Sequence, residues 1–412
     1  MTAPDRRTTA LERAVARVVD NDNCSGCGVC PLVSDRITMG LDDAGFLRPR
    51  VDASPIVPRD DDQDAQEAEL FLSTCPGRAI RAPRSAAGTT HPIFGRSVEV
   101  WQGAASDDEV REAGSSGGVL TALAAWLVTS GRAAEVRGSA SGTATPTRTV
   151  PVRITTREEA LASAGSRYAP VSNTLAAGED TPMVCKPCEA SGTRRYFRAT
   201  GREQESPILL SFFCAGTPSQ SATDALCEEL GIPAEDVASL RYRGNGWPGN
   251  FTITSHDGET RTKSYQQSWG QRLGRALQTR CKLCVDGTGE DADVAVGDFW
   301  SADERGFPVF DDAEGNSVII ARTERGAALV QGAIAAGVLT VSPVDLDEVA
   351  RIQPLQNARR RTLAGRLAGR FAAGKAVPRY TGYGLVGHMI WNIPASAKAA
   401  IGMFTRTTGL RR

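Results

Sequence analysis

The chain has 412 residues, 41% hydrophobic and 23% charged, with a formal net charge of −1. That is water-soluble composition, long enough for two or three domains, and it holds no apolar run free of charge and proline that could span a bilayer. Ten cysteines follow an opening, MTAPDRRTTALERAVARVVD, that reads as a short helix rather than a secretory leader, which predicts a cytoplasmic protein whose thiols bind metal instead of pairing as disulfides.

The first informative element is CSGCGVC. Cys24, Cys27 and Cys30 stand at the spacing that wraps three thiolates around one iron-sulfur cube, Ser25, Gly26 and Gly28 let backbone N–H groups approach the sulfurs, and Cys75 in STCPG supplies a remote fourth ligand. The distance to Cys75 predicts a single 4Fe-4S cluster, because a two-cluster motif places its Cys-Pro almost directly after the triplet. A zinc knuckle more often pairs two Cys-x-x-Cys arms. The acidic stretch RDDDQDAQEAELF between triplet and Cys75 is expected as a surface helix. These features give a ferredoxin-type domain over residues 1–85, followed by a Pro, Ser and Gly-rich linker, APRSAAGTTHPIFG.

A second domain is expected over 93–345, in two parts, 93–178 and 179–345. SVEVWQGAAS alternates as a strand, and AGSSGGVLTALAAWLVTSG runs from a Gly/Ser loop into an apolar helix ending at Gly131. The N–H groups at that helix start could hold a phosphate or carboxylate, or Ser115 or Ser116 could be an ordinary N-cap. GSRYAPVS sets Arg167 and Tyr168 near a turn, and TPMVCKPCEASGTRRYF reads as strand, Cys-bearing loop and helix. ILLSFFCAG ends as a strand at Cys214, YRGNGWPGN is a loop, FTITSHDG a strand, SWGQRLGRALQTR helical, DADVAVGDFW a buried strand, and NSVIIARTERGAALV a strand and helix. Such alternation predicts an α/β (α+β) architecture with a mixed sheet, without internal repeats. The remaining 346–412 form a basic tail, since no Asp or Glu follows Glu348 while Arg359, Arg360, Arg361, Arg366 and Arg370 begin a run of cations. The tail could dock on the body, on an acidic partner or on anionic lipid, or stay a solvated appendage. Nucleic acid is not an expected partner, because few aromatics interleave these cations.

Cys188 and Cys214 each follow a strand, and Cys281 and Cys284 form CKLC. Ligands at strand ends converge above one sheet edge, so these four are expected to hold a second 4Fe-4S cluster, with zinc as the alternative occupant. Cys185 could displace one of them, and Cys227 in DALCEEL reads as a core residue. Only His91, His256 and His388 are present, in no recognisable triad.

Taken together, CSGCGVC with STCPG, GSSGGV entering a helix, GSRY, KPCEASGTRRY, FFCAGTPS, RGNGW, CKLC and VAVGDFW resemble the coenzyme F420 hydrogenase/dehydrogenase beta-subunit family over most of the chain. The resemblance implies FAD, one or two 4Fe-4S clusters, coenzyme F420 as co-substrate, and a flavin domain without a GxGxxG fingerprint. By position it puts Gly114, Ser115, Ser116, Gly117, Gly118 and Thr121 beside the flavin, with Arg167 and Tyr168 in the same pocket. Ala215 stands where the family has His, and Cys185 and Lys186 alter the loop before Cys188. A deazaflavin carries hydride and a cubane one electron, so a flavin between them is the expected converter. Arg167, Arg194 and Arg195 are candidates for the donor's anionic groups. The other readings are a ferredoxin-fed reductase of an organic substrate and a non-catalytic electron-transfer subunit docked through its tail.

Overall fold

The computed structural model describes residues 8–52, 61–83, 88–174, 180–309 and 314–410. The first seven residues, the start of the acidic insertion, the centre of the linker at 84–87, and Arg411 and Arg412 lie outside them.

The N-terminal unit is built from helix α1 (Ala10–Val19), hairpin strands β1 (Ile37–Leu41) and β2 (Leu47–Val51), and helix α2 (Asp61–Thr74). Thr9 and Glu12 form a reciprocal capping box that starts α1. Leu11, Val15, Ile37, Ala68 and Phe71 share one core. The acidic insertion is helical, yet it is more than a surface element. The Asp64 carboxylate accepts the N–H of Ala10 at 2.6 Å and pairs with Arg36 at 2.8 Å, closing the start of α1 against α2. Strand β3 (Ala79–Arg81) leaves this unit.

The body is an eight-stranded mixed sheet. In chain order its strands are β4 (Glu99–Ala105), β5 (Val136–Ser141), β6 (Thr149–Ile154), β7 (Met183–Cys185), β8 (Leu209–Phe212), then, after a three-stranded antiparallel sheet of β9 (Val237–Arg241), β10 (Phe251–Ser255) and β11 (Thr260–Lys263), β12 (Val294–Phe299), β13 (Asn316–Ala321) and β14 (Leu339–Pro343). The spatial order is β14-β4-β13-β12-β8-β7-β5-β6. The central run β12, β8, β7, β5 is parallel, and the flanking pairs are antiparallel. The sheet is covered on both faces, its antiparallel strands included: in β13, Ile319 and Ala321 face the core that holds α3 (Val119–Thr129) and α6 (Glu324–Ala335), while Val318 and Ile320 face Ile93, Phe94 and Val349. Helices α4 (Pro187–Ala199) and α5 (Gln220–Glu229) follow β7 and β8. The stretch SWGQRLGRALQTR, expected to be helical, forms only a π-helical turn at Gln266–Gly270 and a 3-10 turn at Leu273–Arg275, interrupted at Gly270 and Gly274.

The tail is not a solvated appendage. Helix α7 (Pro354–Ala372) leads to β15 (Arg379–Thr381), which pairs in parallel with β3 of the N-terminal unit, and then to α8 (Leu385–Ile390) and α9 (Ile393–Thr407). Its arginines point inward: Arg360, 5% exposed, pairs with buried Glu290, and Arg370 pairs with Asp22 at 2.7 Å. α7 and α9 touch backbone to backbone where α7 carries glycine. A Cβ on Gly369 would stand 2.0 Å from the Ala400 carbonyl oxygen, whereas one on Gly387 would meet nothing within 4 Å. Gly369→Ala should therefore destabilise the protein by roughly 1–3 kcal/mol of overpacking, and Gly387→Ala should be neutral or slightly stabilising. Thermal denaturation of the two variants checks the contrast.

Candidate functional site

The loop after α1 carries the first thiols. Gly26 takes φ +65°, and a Cβ there would stand 2.7 Å from the Leu47 carbonyl oxygen, so the tight curl of the triplet over the β1–β2 hairpin requires glycine. Cys24, Cys27, Cys30 and Cys75 are 5–7% exposed. Burial, with neighbouring thiols of the same set adding to it, pushes the Cys27 thiol up to about 11 and the Cys75 thiol up to about 12. Four such groups ionise together only against a strong local positive charge, which bound iron supplies.

The second set collects at one edge of the sheet. Chain reversal after β7 places Cys188 in the first turn of α4, where a helix N-terminus favours thiolate; it had been expected in the loop before. Cys214 lies two residues beyond β8, its N–H bonded to Gly287 O at 2.8 Å. Cys281 accepts the Thr217 N–H at 3.3 Å, and Cys214 feels both Cys281 and Cys284, with burial first pushing its thiol up to about 12. All four are partly exposed. Cys188 also lies within Coulombic reach of Cys27, so the two sets are neighbours. Cys185 belongs to neither. It is 0% exposed at the end of β7, packed in a core with Met183, Ala190 and Leu209. Cys227 sits in the core beneath the small sheet.

Between the sets stand residues whose role the sequence did not reveal. The Gln278 amide donates to Ser25 O at 2.9 Å and to Cys281 Sγ at 3.4 Å, and its oxygen accepts from Arg48 at 2.9 Å. Arg280, 1% exposed, donates to Pro76 O at 3.1 Å, while its Nε has no partner. Burial opposes its charge, but Tyr380 and then Cys284, Cys188 and Cys281 more than offset that and raise its pKa. Lys186 is buried and paired with Glu189, and its pKa is raised by Glu189 and the thiols of Cys188 and Cys214 against the effect of burial. A buried guanidinium whose neighbours are thiols needs those thiols ionised. Among the described residues no three His, Cys, Asp or Glu group closely enough for a single metal ion. Each set is made of four thiols, and at the second the guanidinium of Arg280 and the ammonium of Lys186 add the counter-charge that a net-negative cluster needs, so the donor chemistry fits a cluster at each set.

Arg194 and Arg195, candidates for a donor's anionic groups, are used elsewhere. Arg194 pairs with Asp293 at 2.6 Å, and Arg195 donates to Thr74 O at 3.1 Å, fastening α4 to the N-terminal unit.

Arg167 does open on a cavity. About 500 Å³ of space is lined by residues including Ser141, Ser166, Arg167, Arg241, Arg243 and Gly244. Arg167 bonds to Thr149 Oγ1 and the Leu240 carbonyl, and Arg241 to the Ala164 carbonyl. Neither bonds a carboxylate among the described residues, and burial lowers the pKa of both. Two desolvated guanidiniums without a counter-charge suit a bound dianion. Arg243, 4% exposed, ties the motifs together: it pairs with Asp298 of VAVGDFW at 3.0 Å, donates to Ser115 O of the Gly/Ser loop, and lies 3.4 Å from the Tyr168 hydroxyl. Tyr168 in turn packs on Trp269, ring centroids 4.4 Å apart. Gly244, at φ +106°, closes the wall, since a Cβ there would stand 2.7 Å from Ala113 O.

The Gly/Ser loop borders this cavity but is largely used in packing. A Cβ on Gly117 would stand 2.7 Å from Gly103 O, on Gly118 2.6 Å from Val110 O, and on Gly114 2.8 Å from Gly118 Cα. The Ser116 hydroxyl is bonded to Asn316 O and Ser317, leaving Ser115, bonded to Ser166 at 2.8 Å, as the loop's link to the lining. Thr121 lies a turn into α3, half-buried, and is not part of the lining.

A thiol-bearing N-terminal unit packed on a sheet whose parallel strand ends gather four more thiols and an arginine-lined cavity defines an iron-sulfur electron-transfer oxidoreductase. Family models say the same: 4Fe-4S single cluster domain at residues 18–82, and coenzyme F420 hydrogenase/dehydrogenase beta subunit N-term and C terminus at 100–177 and 179–347. The chain belongs to the coenzyme F420 hydrogenase/dehydrogenase beta-subunit family. Curated relatives include the coenzyme F420 hydrogenase subunit beta of Methanothermobacter thermautotrophicus, 25% identical across 61% of this chain and 87% of that one, and that of Methanococcus voltae, 26% identical across 61% and 86%. A chain of the xenon-derivatised F420-reducing [NiFe] hydrogenase complex from Methanosarcina barkeri shares the fold, with TM-score 0.53 and 19% identity over 70% of this chain and 98% of that one. Among the described residues no helix is long and apolar enough to cross a membrane.

If both sets hold cubanes, anaerobically purified protein should contain about eight irons, roughly four per cluster. Cys214→Ala should remove about half, and Cys185→Ala none. Zinc found in place of the second share would reassign that set.

Proposed function

We propose that this protein moves electrons between reduced coenzyme F420 and one-electron acceptors, with FAD in the arginine-lined cavity and 4Fe-4S clusters on both thiol sets. The observation that carries the reading is the shared sheet edge: β5, β7, β8 and β12 run parallel, Ser141 of the cavity and Asp298 stand in the C-terminal ends of β5 and β12, and Cys188 and Cys214 follow the ends of β7 and β8. In open α/β sheets that edge is where ligands bind. Bound FAD supplies the conversion of a hydride into single electrons.

The residues divide the work. Arg167 and Arg241 are placed to neutralise the diphosphate of the dinucleotide. Arg243, fixed by Asp298, holds the Gly/Ser loop against the small sheet. Gln278 and Arg280 bridge the two thiol sets, giving the electron a short path of buried, hydrogen-bonded atoms from the second set to the first. The docking-tail alternative loses support, because Arg359, Arg360, Arg366 and Arg370 are bonded within the chain.

Arg241→Ala should weaken flavin retention about tenfold or more, the worth of one charge-assisted hydrogen bond, while iron content stays unchanged. Retention of full flavin would move the dinucleotide elsewhere.

The reaction is tested anaerobically. Reduced coenzyme F420 should bleach the flavin absorbance far faster than NADH or NADPH does, and a viologen should then be reduced catalytically. If both nicotinamides outperform the deazaflavin, or reduced ferredoxin bleaches the flavin while reduced coenzyme F420 does not, a ferredoxin-fed reductase becomes the better account.

A further inference from the structure

A groove of about 320 Å³ lies on the N-terminal unit, away from the arginine-lined cavity, and its lining includes Arg17, Asn23, Gly77, Arg78, Val377 and Arg379. Every charged residue of that lining is an arginine. Its floor consists of the loops that carry the first thiol set: Asn23 precedes Cys24, Gly77 follows Cys75 by two residues, and a Cβ on Gly77 would stand 2.5 Å from Asn23 O. The first set therefore lies behind this groove: Cys24 and Cys75 adjoin its lining along the chain and are themselves buried, 7% and 6% exposed.

One wall belongs to the tail. Asn23 Nδ2 donates to Ala376 O at 2.9 Å, Ala376 N donates to Asn21 Oδ1 at 2.8 Å, and β15 continues the wall beside β3. That segment lies beyond residue 347, where the family models end, so the chain builds the groove with a part those models do not describe. Arg17 and Arg379 are exposed, and Lys375 reaches the Asp20 carbonyl nearby. The acidic groups here are Asp22, paired with Arg370 at 2.7 Å, and Asp20, outweighed by Arg17, Arg78, Lys375 and Arg379.

We infer that this groove docks an acidic one-electron carrier protein of the ferredoxin type. A cubane yields one electron at a time, and a surface directly over its ligand loops gives the shortest exit. Weak redox encounters bury less than about 1,200 Å² and depend on electrostatic steering, which suits a small groove whose charges share one sign. The inference rests on the reading that the first set is the terminal cluster. Each reduced deazaflavin gives up two electrons and two protons: two carrier molecules take one electron apiece, and the protons pass to solvent.

The test uses the full-length protein, a purified acidic ferredoxin and a viologen. Combining Arg17→Glu with Arg379→Glu should lower kcat/KM for ferredoxin at least tenfold at low salt and flatten its salt dependence. Binding of oxidised ferredoxin, measured without turnover by thermophoresis, should weaken by a similar factor, with viologen reduction and iron content unchanged. Lys398→Glu, which reverses an exposed tail cation outside the groove, should change none of these. A double variant that binds and reduces ferredoxin like the parent overturns the docking inference and leaves the oxidoreductase reading intact. A parent that fails to reduce viologen sinks the oxidoreductase reading, and the binding measurement then still decides whether the groove takes an acidic protein.

Discussion

Thiolates buried next to further thiolates set the problem that the surrounding side chains solve. Cys27 and Cys188 are within Coulombic reach of each other, so the negative charge of two clusters would be concentrated in one part of the molecule. Each side of that region carries a cation. Arg48 faces Cys24, Lys186 faces Cys188 and Cys214, Arg280 faces Cys284, Cys188 and Cys281, and Arg359 faces Cys214. Any one of these cations, isolated at such depth, would cost several kcal/mol. With the clusters in place the costs offset one another, and Arg280 can remain buried without a carboxylate.

The same constraint explains the tail. Ala215 lacks the polar side chain that the family resemblance led one to expect, but the space beside its loop is not apolar: Arg359 donates to Cys214 O at 2.9 Å and to Ala215 O at 2.8 Å. Arg366 similarly reaches the carbonyl of Lys282, inside the Cys-x-x-Cys. The absence of acid after Glu348 therefore reflects where the counter-charges are. They sit on the body, as Glu290, Asp22 and the carbonyls and thiols of the ligand loops, and the tail is the half of the charge system that completes them.

What the sequence disclosed and what it withheld divide along locality. Cys24, Cys27 and Cys30 are read directly because their spacing is the loop geometry, and the strands around Leu209 and Val294 are read from apolar runs that only a doubly covered sheet permits. Inward-facing arginines are invisible to such reading: Arg360 and Arg361 look alike in the sequence, yet one meets Glu290 and the other is exposed. Cys185 and Cys188 are likewise indistinguishable in the sequence; the burial of Cys185 in the core at the end of β7 and the partial exposure of Cys188 at the start of α4 separate them. The Gly/Ser loop is legible only in part. Its glycines read as room for a ligand, and the structure adds that Gly117 and Gly118 accommodate the backbone of Gly103 and Val110. Arg241 was passed over because RYRG offers no periodic or spacing signal; only the packing of the small sheet on the large one shows it beside Arg167.

That packing also decides how the parts must behave as an electron path. Transfer between redox centres falls steeply with distance, so on the proposed route the intervals between cavity, second set and first set have to be held by rigid elements. Three attachments fix them. Ser172, four residues after Tyr168, donates to Cys27 O at 2.7 Å; Gly192 on α4 lets Val29 approach within 3.2 Å of where its Cβ would stand; and Tyr380 of β15 donates to Leu283 O at 2.7 Å. The first links the cavity's own segment to the triplet, the second presses the helix bearing Cys188 onto the same loop, and the third pins the tail to the Cys-x-x-Cys. A movement of the N-terminal unit would have to break the first two and either the third or the pairing of β15 with β3, which ties the two thiol sets together although they come from separate domains of the sequence.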